Sequence, residues 1–384
     1  MTYLELDDTL LADRGATWTA REIAQQPRSW ARTQDMLSTR VAEIEAFLKP
    51  LLARTDLRVI LTGAGSSAYI GQCLAPWLLR TLNKRVEAIA TTELISGPRD
   101  YLQKDVPTLL VSFGRSGNSP ESVAAVELAR QCVDECYQLV ITCNAQGELY
   151  ACCKGRADSF AILLPEETHD RSFAMTSSFS CMLYAALAVF GGIKAYAEKV
   201  ARISAAGAEV IERFNAPMKA LADREHARLV YLGSKGLMGL ANEAALKALE
   251  LTDGATIAIA QSPLGLRHGP KTFIKRDTLV ILFMSNDPLT RRYDLDLLRE
   301  LRRDAVAATV LAISAREDEA ISEGEHLLVP NMSTAHDMEL MFPYLICAQL
   351  YAFHRSLRMN NTPDNPNAAG IVSRVVQGVT IHTL

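Results

Sequence analysis

RVILTGAGSSAYIG (58–71) and RLVYLGSKGLMGLA (228–241) share one pattern. A basic residue opens a short apolar run, a glycine turn follows, and a helical stretch continues, with Gly63 matching Gly233. TLLVSFGRSG (108–117) and TLVILFMSND (278–287) form a second pair, with Thr108 matching Thr278. Both pairs are displaced by 170 residues. QLVITCN (138–144) matches TVLAISA (309–315), and FAILLP (160–165) matches EHLLVP (325–330), which end in Pro165 and Pro330. Two independent segments that recur at one displacement, with two more close to it, mean a repeated domain.

Each run is short, apolar and bounded by Gly, Pro or polar residues, as a fully buried parallel strand should be. Helical patterns lie between them, such as SPESVAAVELARQCV (119–133) and TRRYDLDLLRELRRD (290–304). Strands that alternate with helices predict an α/β fold with a parallel sheet covered on both faces. The expected organisation is two tandem αβα sandwiches, at 45–204 and 205–384, after an N-terminal arm over 1–44 that runs into a helix at Met36–Leu52. NNTPDNPNAAG (360–370) reads as a loop, and VVQGVTI (375–381) as a last strand-like piece near the site. In open α/β sheets ligands bind beyond the carboxyl ends of the strands, so candidate residues are sought there.

Composition narrows the function. The 384 residues are 49% hydrophobic, enough for two cores. A net charge of −4 without a long basic run argues against nucleic acid or an acidic membrane as the main partner. Cys181–Ile193, the longest apolar stretch, is too short to span a bilayer. The acidic start, MTYLELDD, lacks the features of a signal peptide, which points to the cytoplasm. The eight cysteines show no CxxC and no zinc spacing, so they read as structural or incidental thiols, and no metal site is expected.

The strand TLLVSF leads into Gly114-Arg115-Ser116-Gly117-Asn118-Ser119 and then Pro120-Glu121-Ser122. Ser119 suits an N-cap, Pro120 the first helical turn and Glu121 the positive end of the dipole. The loop offers backbone N–H groups and two hydroxyls at a helix N-terminus, as a phosphomonoester dianion requires. After the preceding strand, Gly63-Ala64-Gly65-Ser66-Ser67 offers a second such loop. Both could also be plain strand-to-helix turns. GAGSSA lacks the third glycine of a dinucleotide fingerprint, so NAD binding is a weak alternative. The second-repeat copies, Gly233-Ser234-Lys235-Gly236 and Ser285-Asn286-Asp287, lack the hydroxyl-rich pattern. One repeat is therefore expected to bind phosphate and the other to supply different groups.

NEAALKALEL (242–251) places Glu243, Lys247 and Glu250 on one helix face. That face either lines a cleft or is a solvated ion pair. His268 lies in Leu266-Arg267-His268-Gly269-Pro270-Lys271, and alone it is a weak catalytic signal. Glu166-Glu167-Thr168-His169-Asp170-Arg171 follows a strand, with ion-pair scaffolding and substrate contact both open. No G-x-S-x-G elbow occurs, which disfavours a Ser/His/Asp hydrolase.

Taken together these residues resemble the sugar isomerase (SIS) domain family. GRSGNS is similar to the family's phosphate loop, and the pair of domains to the isomerase half of glucosamine-6-phosphate synthase. The resemblance is closer to the galactosamine-6-phosphate deaminase/isomerase group, long labelled tagatose-6-phosphate ketose/aldose isomerase. It is carried by SFGRSGNSPESVAAVELA (112–129), ETHDRSFAMTSS (167–178), ALKALELTDG (245–254), RHGPK (267–271), RYDLDLLRELRRD (292–304) and NTPDNPNAAGIVSRVVQGVTIH (361–382).

The resemblance implies flavodoxin-like, doubly wound sheets and the following roles. Ser66, Ser67, Gly114, Arg115, Ser116 and Ser119 would hold a sugar phosphate. Glu250 would move a proton between C1 and C2, with Glu243 and Lys247 orienting the open chain. His268 would assist ring opening and come from a neighbouring subunit, so at least a homodimer is implied. Gly114 replaces the synthase's first phosphate-loop serine, and Gln377 its C-terminal lysine. The glutaminase domain, with its ammonia supply, is absent, so ammonia release is the natural direction. The implied reaction converts galactosamine 6-phosphate and water to tagatose 6-phosphate and ammonia without a cofactor. The alternatives are an aldose–ketose isomerase on a neutral sugar phosphate and a non-catalytic sugar-phosphate sensor.

Overall fold

The computed structural model describes residues 2–367, 369–376 and 378–382. They divide into two compact units. One comprises residues 28–170, 177–200 and the described part of 369–382; the other comprises 2–27, 171–176 and 201–367.

The first of these units holds a parallel sheet. A two-residue pair, β1 (Thr2–Tyr3) and β2 (Leu6–Asp7), precedes it in the chain and belongs to the other unit. The sheet strands are β3 (Arg58–Thr62), β4 (Val86–Ala88), β5 (Thr108–Gly114), β6 (Cys136–Thr142) and β7 (Ser159–Leu163), in the order β4-β3-β5-β6-β7. All pairings are parallel, with Thr62 opposite Ser112 and Gly114 opposite Thr142. Ile60, Leu110 and Val140 point to one face and meet Ala125, Val126 and Ala129 of the helix Pro120–Cys132. Burying side chains of this size contributes roughly 1.5–3 kcal/mol each, which explains the unbroken apolar strands.

The other unit repeats this order. Its strands are β8 (Arg228–Leu232), β9 (Ile257–Gln261), β10 (Thr278–Phe283), β11 (Thr309–Ser314) and β12 (His326–Leu328), in the order β12-β11-β10-β8-β9. Numbered within each repeat, both sheets run 2-1-3-4-5, the doubly wound order. The helices Gly236–Leu251 and Asp337–Arg358 pack together in this unit. Phe283 stacks between Tyr231 and Tyr344 at 6.0 and 5.8 Å. The Tyr344 hydroxyl donates to the Met284 carbonyl at 2.9 Å.

Three expectations change. The second strand of each repeat, β4 and β9, is additional, so the two candidate phosphate loops follow the first and third strands, not the first two. The N-terminal segment is already helical at Asp8–Asp13, Thr17–Ala24 and Gln26–Thr39, and the helix expected over 36–52 is split into Gln26–Thr39 and Val41–Ala53. Pro27 does not break this region, because it lies in the first turn of its helix, where no intrahelical N–H is needed. Trp30 is fully buried there, and its indole N–H donates to Ser180 Oγ at 2.8 Å. The described residues of 375–381 form no strand. Among the described residues no helix is long and apolar enough to cross a membrane.

Candidate active site

β3 and β5 are neighbours, and the strand order reverses at them. Loops 63–67 and 114–119 therefore leave the sheet side by side, at the switch point where doubly wound sheets bind ligands. Close packing shapes the first loop. A Cβ on Gly63 would lie 2.5 Å from Ser67 Cβ, and Gly65 takes φ +55°. Position 63 therefore requires glycine, and the left-handed φ of position 65 favours it. Ser66 and Ser67 form the buried first turn of the helix Ser66–Leu82.

The second loop is braced from the neighbouring strand. Thr142 Oγ1 donates to the Gly114 carbonyl at 2.7 Å, and Asn144 Nδ2 to the Ser116 carbonyl at 2.7 Å. The Glu148 N–H donates to Asn118 Oδ1 at 2.9 Å, and the Leu149 N–H to the Gly117 carbonyl at 3.0 Å. A Cβ on Gly114 would lie 2.9 Å from Leu149 Cδ1, so a side chain at this position would displace the end of Leu149.

Ser119 occupies the N-cap position, but its hydroxyl does not cap the backbone. It donates instead to Glu121 Oε2 at 2.9 Å. Arg115 is buried, and its Nη2 donates to the Arg374 carbonyl at 2.8 Å. Arg374 Nη2 in turn donates to the Asp170 carbonyl. The Asp170 carboxylate accepts from the Ser178 N–H at 2.8 Å and from the Ser177 and Ser178 hydroxyls. It thus caps the helix Ser177–Gly191, and this part of the charged 166–171 stretch is scaffolding.

In the other unit the helix Gly236–Leu251 brings Glu243, Lys247 and Glu250 together, and the face is not solvated. Glu243 and Lys247 are fully buried, whereas the Glu250 side chain keeps 23% of its exposure. Lys247 Nζ lies 3.4 Å from Glu243 Oε1 and also pairs with Glu250 Oε2. Of the three, only the Glu250 carboxylate is partly exposed.

His268 stands apart from that trio. It is exposed, and among the described residues its ring makes no hydrogen bond or ion pair. Its neighbours are fixed: Arg267 Nε pairs with Glu300 at 2.8 Å, and Lys271 with Asp304 at 2.6 Å. A clamped loop thus presents a free imidazole. Gln377 lies outside the described residues.

The copy of these loops in this unit is already filled by its own carboxylates. Asp294 accepts from Ser234 Oγ and from the Ser285 N–H, both at 3.0 Å. Asp337 accepts from Ser285 Oγ at 2.6 Å and from the Asn286 N–H at 2.8 Å. Burial is the main reason that the Asp294 carboxyl is pushed up to about 6. In the repeat, residues 285 and 286 correspond to Arg115 and Ser116. Both carboxylates escaped sequence reasoning. Asp294 had a signal, since it shares an apolar helix face with Leu298 and Leu301.

The SIS domain model matches residues 51–190, the region of the first sheet. D-galactosamine-6-phosphate deaminase AgaS of Escherichia coli is 49% identical over 374 residues, covering 95% of this chain and 96% of its own. The chain belongs to the AgaS family of SIS-domain proteins. The Shewanella AgaS D-galactosamine-6-phosphate deaminase is 43% identical over 375 residues, covering 97% of this chain and 93% of its own. The solved tagatose-6-phosphate ketose/aldose isomerase from Escherichia coli superposes with a TM-score of 0.88 at 46% identity, covering 96% of both chains. This AgaS-family chain therefore has full-length relatives with both labels.

Proposed function

We propose that the protein converts galactosamine 6-phosphate and water to tagatose 6-phosphate and ammonia. The reading is carried by the Glu243–Lys247–Glu250 constellation, in which a buried lysine flanks one accessible carboxylate. The relatives named galactosamine-6-phosphate deaminase support the substrate.

Ser66, Ser67, Arg115, Ser116 and Ser119, with the Gly114 backbone, hold the phosphate. Their contacts supply binding energy remote from the reacting carbons. His268, donated by a second subunit in at least a dimer, helps to open the ring. Glu250 takes the C2 proton of the open-chain aldose while the C1 oxygen gains a proton, giving an enaminol. Glu250 then returns a proton to C1, leaving an imine at C2. Water adds to the imine, ammonia leaves, and the C2 ketone remains. Lys247 and Glu243 keep the open chain oriented beside Glu250. The substrate's own carbonyl and imine take up the electron pair, so the scheme calls on no cofactor. The cytoplasm is the expected compartment.

The test is ammonia release from galactosamine 6-phosphate, with glucosamine 6-phosphate and tagatose 6-phosphate in parallel. Ammonia and ketose phosphate in equal amounts from the first support the reading. Interconversion of tagatose 6-phosphate with an aldose phosphate, without ammonia from either amino sugar, would leave a plain isomerase.

A further inference from the structure

A cavity of about 360 Å³ lies where residues 6–14 meet the ends of two helices, Ile193–Ala222 and Asp337–Arg358. Its volume is within the range of small-molecule sites. Leu6, Leu10, Leu11 and Leu357 make an apolar wall. Two polar side chains give it direction.

The first is His354, which is only 3% exposed. Asn215 Nδ2 donates to the Leu4 carbonyl at 3.0 Å, which fixes the amide, so Asn215 Oδ1 is an acceptor. His354 Nε2, 2.7 Å from that oxygen, therefore carries the proton. Burial and the nearby Lys219 charge hold the imidazole down at about 4, so it is neutral near pH 7. Nδ1 is then a lone-pair acceptor, and no donor among the described residues meets it.

The second is Arg14. It donates to the Leu357 carbonyl at 2.5 Å and to Asn360 Oδ1 at 3.3 Å, and no described carboxylate pairs with it. The other cations at the rim are balanced, Lys219 by Asp223 at 2.7 Å and Arg358 by Glu225 at 3.4 Å.

We propose that this cavity binds a small amphipathic carboxylate bearing a hydroxyl or N–H donor. The carboxylate pairs with Arg14, the apolar body lies on the leucines, and the donor reaches His354 Nδ1. The ring is nearly buried while Nδ1 keeps its lone pair, so a ligand that donates to it adds a directional hydrogen bond to its apolar contact. None of these residues takes part in the proposed reaction.

The test is calorimetric titration of the full-length protein with 4-hydroxybenzoate, with benzoate and phenol as half-ligands. Saturable binding is expected, at least about tenfold tighter for 4-hydroxybenzoate than for either half-ligand. Leu10→Trp, at a partly exposed position, fills the cavity, and Arg14→Met removes the cation. Each is expected to weaken binding about tenfold or more while circular dichroism and ammonia release stay unchanged. No saturable binding by the wild type, or binding unaffected by both substitutions, would overturn the proposal. Because the readout is binding, it stands or falls apart from the deaminase reading.

Discussion

Lys235 holds the backbone conformation of Gly65, with φ 55° and ψ −126° against φ 55° and ψ −129°. The two residues stand at one position of the repeat, 170 apart. The glycine is suited to this conformation and the lysine is strained in it.

Gly65→Ala should therefore destabilise the protein by about 1–2 kcal/mol and weaken sugar-phosphate binding. Lys235→Gly should be neutral or stabilising by up to about 1 kcal/mol, because its pair with Asp287, 3.3 Å away, is half-exposed. Urea unfolding of both variants checks the contrast. Destabilisation by Lys235→Gly as large as that of Gly65→Ala would mean that the lysine side chain, not the backbone, holds the loop.

Asp294 sets a pH dependence. Its carboxyl, ordinarily near 3.8, is pushed up to about 6 in the folded protein. Between these values the unfolded chain loses the proton first, so this group's contribution falls as pH rises from about 4 to about 6. The cost levels off above that at roughly 3 kcal/mol. Asp294→Asn removes the titration. The stability of the variant relative to wild type should rise between pH 4.5 and 7.5, followed by denaturant unfolding at each pH. A pH-independent difference would mean that the carboxyl titrates normally.

Lys247→Met should cost about 3–5 kcal/mol, because it leaves the buried Glu243 carboxylate without its cation. Lys247→Met combined with Glu243→Gln should recover part of that loss. Thermal unfolding of the single and double variants measures the coupling. Additive losses would contradict a buried charge pair.

Asp337→Ala should open the second-repeat loop. It frees the Ser285 hydroxyl and the Asn286 N–H, which the carboxylate now occupies. Added inorganic phosphate should then raise the unfolding temperature of the variant more than that of the wild type. Equal shifts would mean that the loop cannot hold an external anion.

The repeat made most strands readable, because buried parallel strands are continuous apolar runs. β4 and β9 were hidden for physical reasons. Val86–Ala88 has three residues, and Ile257–Gln261 is alanine-rich and only partly buried. Missing them concealed that the two candidate phosphate loops adjoin at the switch point. The Glu243–Lys247–Glu250 spacing was legible, but its burial was not, since the same spacing serves a solvated ion pair. The Asp294–Ser234 and Asp337–Ser285 contacts join residues distant in sequence, and only tertiary structure brings these donors and acceptors together.

In the proposed mechanism Glu250 carries the proton between C2 and C1. The most direct measurement is ammonia release from galactosamine 6-phosphate by wild type and Glu250→Gln, with binding of the sugar phosphate measured on the same samples. Turnover should fall roughly 10²–10⁴-fold in the variant with binding retained. Turnover within about threefold of wild type, where general-base catalysis should supply orders of magnitude, would contradict that mechanism.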